Sequence, residues 1–204
     1  NGKINFPDQG NKITLCGNEL TIIDNTTYGN SGYGIFAIEQ KDLEISHAIV
    51  KNVFSMNYPE GIHLENLTGS NVVEYCDVHS VSCWAATPTT QIAYDMNFIL
   101  PYQCYLNVNN NMISDISHKI ETESAGLWVR GIGFTSSNAL TLASFNFNSV
   151  YLAEDNKQST ACFAVPNVPL AGLITVSKNI FANGSLNGSS ACNYGLYFGN
   201  TMFG

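Results

Sequence analysis

The chain has 204 residues, enough for one substantial core, yet only 12% of them are charged, about half the ~25% usual in globular proteins. Its net charge of −8 and its single arginine, Arg130, exclude the basic footprint that nucleic acid needs. No apolar run reaches the roughly 20 residues that span a bilayer as a helix.

In chain order, residues 1–33 read as N-terminal strands and a loop leading into a repeat region. Lys12-Ile13-Thr14-Leu15-Cys16 and Leu20-Thr21-Ile22-Ile23 alternate, and 25–33 is a polar loop. From Gly34 to Gly204 a weak phrase returns five times, an apolar-alternating run meeting a small polar position. It reads Ile49-Val50-Lys51-Asn52-Val53-Phe54, then Val73-Glu74-Tyr75-Cys76-Asp77-Val78, then Val108-Asn109-Asn110-Asn111-Met112-Ile113. It comes back as Leu142-Ala143-Ser144-Phe145-Asn146-Phe147 and Val176-Ser177-Lys178-Asn179-Ile180-Phe181. The pivots 52, 77, 111, 146 and 179 are 25, 34, 35 and 33 positions apart. A second phrase, Gly before alternating apolar residues, opens at Gly34, Gly61, Gly126 and Gly195. Residues 82–104, 114–125 and 152–169 read as long insertions, with a short helix expected near 114–123. The last residues, 199–204, carry strand grammar without a polar cap, so further coils are expected to cover the end.

Periods of 20–50 residues with short strands in each unit predict a solenoid. The fold class is therefore all-β, a right-handed parallel β-helix with long loop insertions. Val53, Val78, Met112, Phe147 and Ile180, each one residue after a pivot, are expected to fill one internal layer. An all-β sandwich of lectin type is the alternative if the strands pair antiparallel.

These phrases resemble the parallel β-helix repeats of pectin-lyase-like proteins and of large eukaryotic surface proteins of the fibrocystin-like family. The resemblance is strongest around Ala182-Asn183 and Asn193-Tyr194-Gly195-Leu196-Tyr197-Phe198-Gly199. It implies a corner role for Asn52, Asn111, Asn146 and Asn179, with Asp77 as a substitution, and an extracellular setting. It carries no activity.

Twenty-five asparagines outnumber the sixteen acids and eight bases, a surface suited to a secreted, glycosylated chain. Sequons stand at Asn25, Asn66, Asn183 and Asn187, three of them in Gly/Asn/Ser turns. Six cysteines, at 16, 76, 83, 104, 162 and 192, lack the paired spacing of a zinc site. The expected crosslinks are Cys76–Cys83 or Cys83–Cys104 in the longest insertion, and Cys162–Cys192 across neighbouring coils.

Hydrolysis of a glycan needs two carboxylates facing one groove. The candidates are Asp77, Asp95 and Asp115, but no two of the seven aspartates adjoin. A hydrogen-bonding acid at a coil corner is the plainer reading of Asp77. His47, His63 and His79 are 16 apart, too short a step to stack on coils of 25 or more, so they read as solvated strand histidines. Asp115, Glu121 and Glu123 beside His118 are too sparse for a calcium loop. Trp84, Tyr94, Tyr102 and Tyr105, with Trp128 further on, could stack on sugars or cover the bore. The sequence thus points to a non-enzymatic scaffold segment with no catalytic residue, metal or cofactor. Its expected partners are N-linked glycans and other segments or subunits of a larger extracellular assembly. A carbohydrate-active or carbohydrate-binding β-helix is the alternative.

Overall fold

A computed structural model describes residues 2–4, 19–23, 32–55, 58–83, 92–118, 124–138, 140–153, 158–166, 173–185 and 192–199. Among them the chain visits three sheets in rotation. Sheet A stacks Gly2–Ile4, Gly32–Ile38, Pro59–Glu65, Ala93–Leu100, Ser124–Ser136, Gln158–Val165 and Asn193–Phe198. Sheet B stacks Glu44–Ser46, Gly69–Glu74, Cys104–Asn109, Leu142–Asn146 and Leu173–Ser177. Sheet C stacks Glu19–Ile23, Ile49–Ser55, Asp77–Cys83, Met112–Ser114, Ser149–Leu152 and Ile180–Asn183, with Ser117–His118 also paired to Asp77–Cys83. All these strand pairs are parallel. The chain is a parallel β-solenoid, and the antiparallel sandwich is excluded. Two strands from residues 1–33 already pair into sheets A and C.

The bore is built from columns of apolar residues in register. Ile35, Ile62, Met96, Ile132, Phe163 and Leu196 form one in sheet A. Ile45, Val73, Val108, Phe145 and Val176 form one in sheet B. Val50, Val78, Ile113, Val150 and Phe181 form one in sheet C. Branched and aromatic side chains suit a pleated surface whose neighbours lie about 4.8 Å away. Phe145 meets the rings of Phe98, Phe134 and Phe163 at centroid distances of 6.0, 5.5 and 4.8 Å.

The turn from sheet B to sheet C is the same on five coils. One residue takes a left-handed conformation there: His47, Tyr75, Asn110, Phe147 and Lys178, with φ of 55, 55, 56, 57 and 56°. The residue that follows points its side chain inward. On three coils it is an asparagine that satisfies the turn before it. The Asn111 oxygen accepts from the Cys76 N–H (2.9 Å), Asn148 from the Asn111 N–H (3.1 Å) and Asn179 from the Asn148 N–H (2.8 Å). Their amide nitrogens donate to the carbonyls of Val73, Val108 and Phe145. Buried backbone groups must find partners, and this ladder supplies them.

Several expectations shift with the real register. Asn111 and Asn179 are corner residues, but Asn148 takes the place assigned to Asn146, and Cys76 and Ala48 the places assigned to Asp77 and Asn52. Val53 and Val78 are buried, whereas Met112, Phe147 and Ile180 are 63, 53 and 66% exposed, because a one-residue slip reverses a strand's faces. Two expected insertions each contain a strand of sheet A, Ala93–Leu100 and Gln158–Val165. Both are almost wholly buried and so lack alternation. The expected helix is extended through Met112–Ser114 and Ser117–His118, and 119–123 lie outside the described residues.

The disulfides are corrected as well: none of the expected crosslinks among Cys76, Cys83, Cys104, Cys162 and Cys192 forms. The first four are buried in the solenoid wall, not held in a loop that a crosslink would order. Burial pushes the thiols of Cys76 and Cys104 up to about 11 and that of Cys162 to about 12, which keeps them protonated. Cys16 lies outside the described residues.

Candidate functional site

A fault in sheet A repeats on every coil and places the site. Pairing jumps from Glu60↔Tyr94 to Ile62↔Met96, and likewise from Tyr94↔Arg130 to Met96↔Ile132, leaving one residue per strand out of the ladder. That column holds Gly34, Gly61, Asp95, Gly131, Cys162 and Gly195. A Cβ on Gly131 would stand 2.5 Å from Val150 Cγ1 and 2.8 Å from the Cys162 carbonyl oxygen. The same overlap at Gly34 and Gly61 explains why glycine recurs. The break also puts side chains three apart, Glu60 and His63, on one outer face.

On that face Glu60, His63 and Glu65 come together with Asn97, Tyr94 and Arg130 of the following coils. His63 Nδ1 bonds Glu60 Oε2, and its Nε2 lies 3.3 Å from Glu65 Oε2. Asn97 donates to the same Glu60 oxygen at 3.1 Å. Phe36 stacks on the imidazole at 4.9 Å, and Tyr33 meets its edge at 5.3 Å. Arg130 lies 5.2 Å over the Tyr94 ring and donates to its hydroxyl at 2.5 Å. Glu60, His63, Asn97, Tyr94 and Arg130 are all buried.

Burial works against the His63 imidazolium, but the hydrogen bonds and charges of Glu60 and then Glu65 outweigh it and raise the pKa above its ordinary value. The cluster thus gathers two carboxyl side chains, an imidazole and a guanidinium on one face. Burial pushes the Tyr94 phenol up to about 12 despite Arg130, so it stays neutral. Glu60 and Glu65 flank one imidazole, yet both spend an oxygen on it, and only Glu65 keeps a substantial side-chain exposure of 32%. Among the described residues no three His, Cys, Asp or Glu side chains are disposed to hold a metal ion.

Sequence reasoning missed this cluster by weighing aspartates and not glutamates. The signal was Pro59-Glu60-Gly61-Ile62-His63-Leu64-Glu65, in which the glycine marks the break in the ladder. His63 is a buried, bonded histidine, not a solvated one. His47 stacks on Tyr75 at a corner, and His79 Nδ1 lies 3.2 Å from Ser80 Oγ. The three aspartates do not converge in a groove. Asp77 lies on the outer face of sheet C, and Asp115 occupies a left-handed bend in that sheet. Asp95 is fully buried, and neither of its oxygens has a hydrogen-bond partner. Tyr102 and Tyr105 are exposed while Tyr94 is buried, so they form no single aromatic cluster. Trp84, Glu121 and Glu123, and the side chain of Trp128, lie outside what is described.

Of the sequons, Asn66 sits half-exposed in a left-handed turn, with φ 56°. Asn183 differs. Its amide nitrogen donates to Thr160 Oγ1 at 2.8 Å and to the Tyr194 carbonyl at 3.0 Å, so a glycan there would cost those bonds. Asn25 and Asn187 lie outside the described residues. No helix among the described residues is long and apolar enough to cross a membrane. Searches against protein-family models, curated proteins and solved structures find nothing that matches this chain.

Proposed function

We propose that this chain is a non-enzymatic scaffold segment of a secreted or cell-surface glycoprotein of the fibrocystin-like type. In this reading its stiff, stacked coils hold an extended lateral surface for partners. The observation that carries the reading is the closure of the acid–base cluster. Glu60, His63 and Asn97 are buried and bonded together, and beside them Tyr94 and Arg130 are buried and bonded to each other, as structural side chains are. The low charge and the half-exposed sequon at Asn66 support the extracellular setting.

One observation favours a carbohydrate-active second reading: Glu60 and Glu65 flank His63 on one sheet face, an acid pair with a proton donor between them. The test is turnover of neutral and acidic polysaccharides, followed as new reducing ends and as unsaturated products. The scaffold reading expects none. Turnover that Glu65→Gln abolishes in a fully folded protein would replace it with the enzyme. Peptide mass spectrometry of Asn66 in protein from a secreting host checks the setting, with an N-glycan expected.

A further inference from the structure

The outer face of sheet B is a lattice of three columns on three successive coils. Tyr105, Leu142 and Leu173 are in register and 48, 38 and 64% exposed. Beside them run Asn107, Ser144 and Thr175, then Asn109, Asn146 and Ser177. Alternation turns Leu106, Val108 and Phe145 into the bore and these nine side chains outward. None of the nine is charged, although Glu74 on the preceding coil and Lys178 at the corner mark the rim. The third column is held by a bond within it and by one to the second column. Ser177 Oγ donates to Asn146 Oδ1 at 2.6 Å, and the Asn146 amide donates to Ser144 Oγ at 2.5 Å. Tyr102 and Leu140, in the turns that precede two of these strands, are 53 and 61% exposed.

We propose that this face binds a neutral polysaccharide, laid across the coils; the proposal rests on the scaffold reading and names its partner. A sugar chain offers C–H faces to an apolar column and hydroxyls to amide and hydroxyl columns, which this alternation matches. Rows about 4.8 Å apart and columns about 6.8 Å apart make the nine positions roughly 10 by 14 Å. That is far short of the ~800 Å2 that each partner contributes to a stable protein interface. Without charge the face has nothing to pair with an anionic polymer. The pre-bonded third column loses little freedom on binding.

The test is co-sedimentation of the chain with insoluble cellulose, chitin and (1→3)-β-glucan, with polygalacturonate as the anionic comparison, while soluble products are assayed in parallel. Retention is expected on at least one neutral polymer and not on polygalacturonate. Tyr105→Ala and Leu142→Ala should each weaken retention about tenfold with unchanged circular dichroism. Tyr151→Ala, an exposed tyrosine on sheet C, should leave it unchanged. No retention on any neutral polymer, or retention indifferent to the two sheet B substitutions, overturns the proposal and leaves the scaffold reading standing. Release of soluble products would instead overturn the scaffold reading, and the two variants would still decide the binding face.

Discussion

Asp95 carries a carboxyl group into the bore, in a column where glycine stands on four other coils. Burial, with the charge of Asp115, holds its pKa well above the ordinary carboxylate value. A folded-state value above the unfolded one means stability is greatest below the unfolded value of about 3.9 and is lost as pH rises towards the folded one. Asp95→Gly should therefore stabilise the protein at neutral pH by about 1–3 kcal/mol, the cost of an unsatisfied buried polar group. The gain should shrink as pH falls towards 4. Urea denaturation of both proteins across pH checks this, and an unstable Asp95→Gly at neutral pH would refute it.

Two devices work at the scale of the strand and the turn. The first is the glycine column of sheet A: at Gly61 any Cβ would run into Val78 Cγ1 and the Asp95 carbonyl oxygen. Gly61→Val should cost at least about 3 kcal/mol, since a rigid wall on both sides cannot yield, and thermal melting reads it. The second is the asparagine ladder. The Asn148 side chain accepts from the Asn111 backbone N–H at 3.1 Å and from the Asn111 amide at 2.9 Å, and it donates to the Val108 carbonyl at 2.8 Å. Asn148→Ala orphans those groups in a dry corner and should cost about 2–4 kcal/mol. Asn52→Ala, at a position that carries no rung, should cost less than half as much in the same denaturation series.

Across the whole molecule the two perturbed groups push the same way. The His63 pKa is raised, so its stabilising contribution is complete below the unfolded value of about 6.5 and is lost as pH rises through the folded value. Asp95 also favours the acid side. The wild type should unfold at higher urea near pH 5 than near pH 8. His63→Gln should flatten the upper part of that dependence, and by taking the ring off buried Glu60 it should destabilise the protein by about 1–3 kcal/mol. A profile unchanged by His63→Gln would assign the pH dependence elsewhere.

The sequence by itself determined the class of fold, because a recurring apolar phrase with turns between can bury its face only by stacking on its neighbours. It also showed the glycines at 34, 61 and 195 and the corner residues Asn111 and Asn179. What it could not settle was register. Asn146 and Asn148 sit two apart in one phrase, and only the bonds to Asn111 and Asn179 select Asn148 as the rung. The buried strands Ala93–Leu100 and Gln158–Val165 escaped notice because a strand covered on both faces has no alternation to read. Tertiary structure alone assembled Glu60, His63 and Glu65 with Asn97, Tyr94 and Arg130, more than thirty residues further along the chain. A break in the ladder turned them outward on one face, and parallel stacking laid one coil's side chains against the next. Those contacts depend on coil length, which the chain varies freely in its turns, so no local pattern could have announced them.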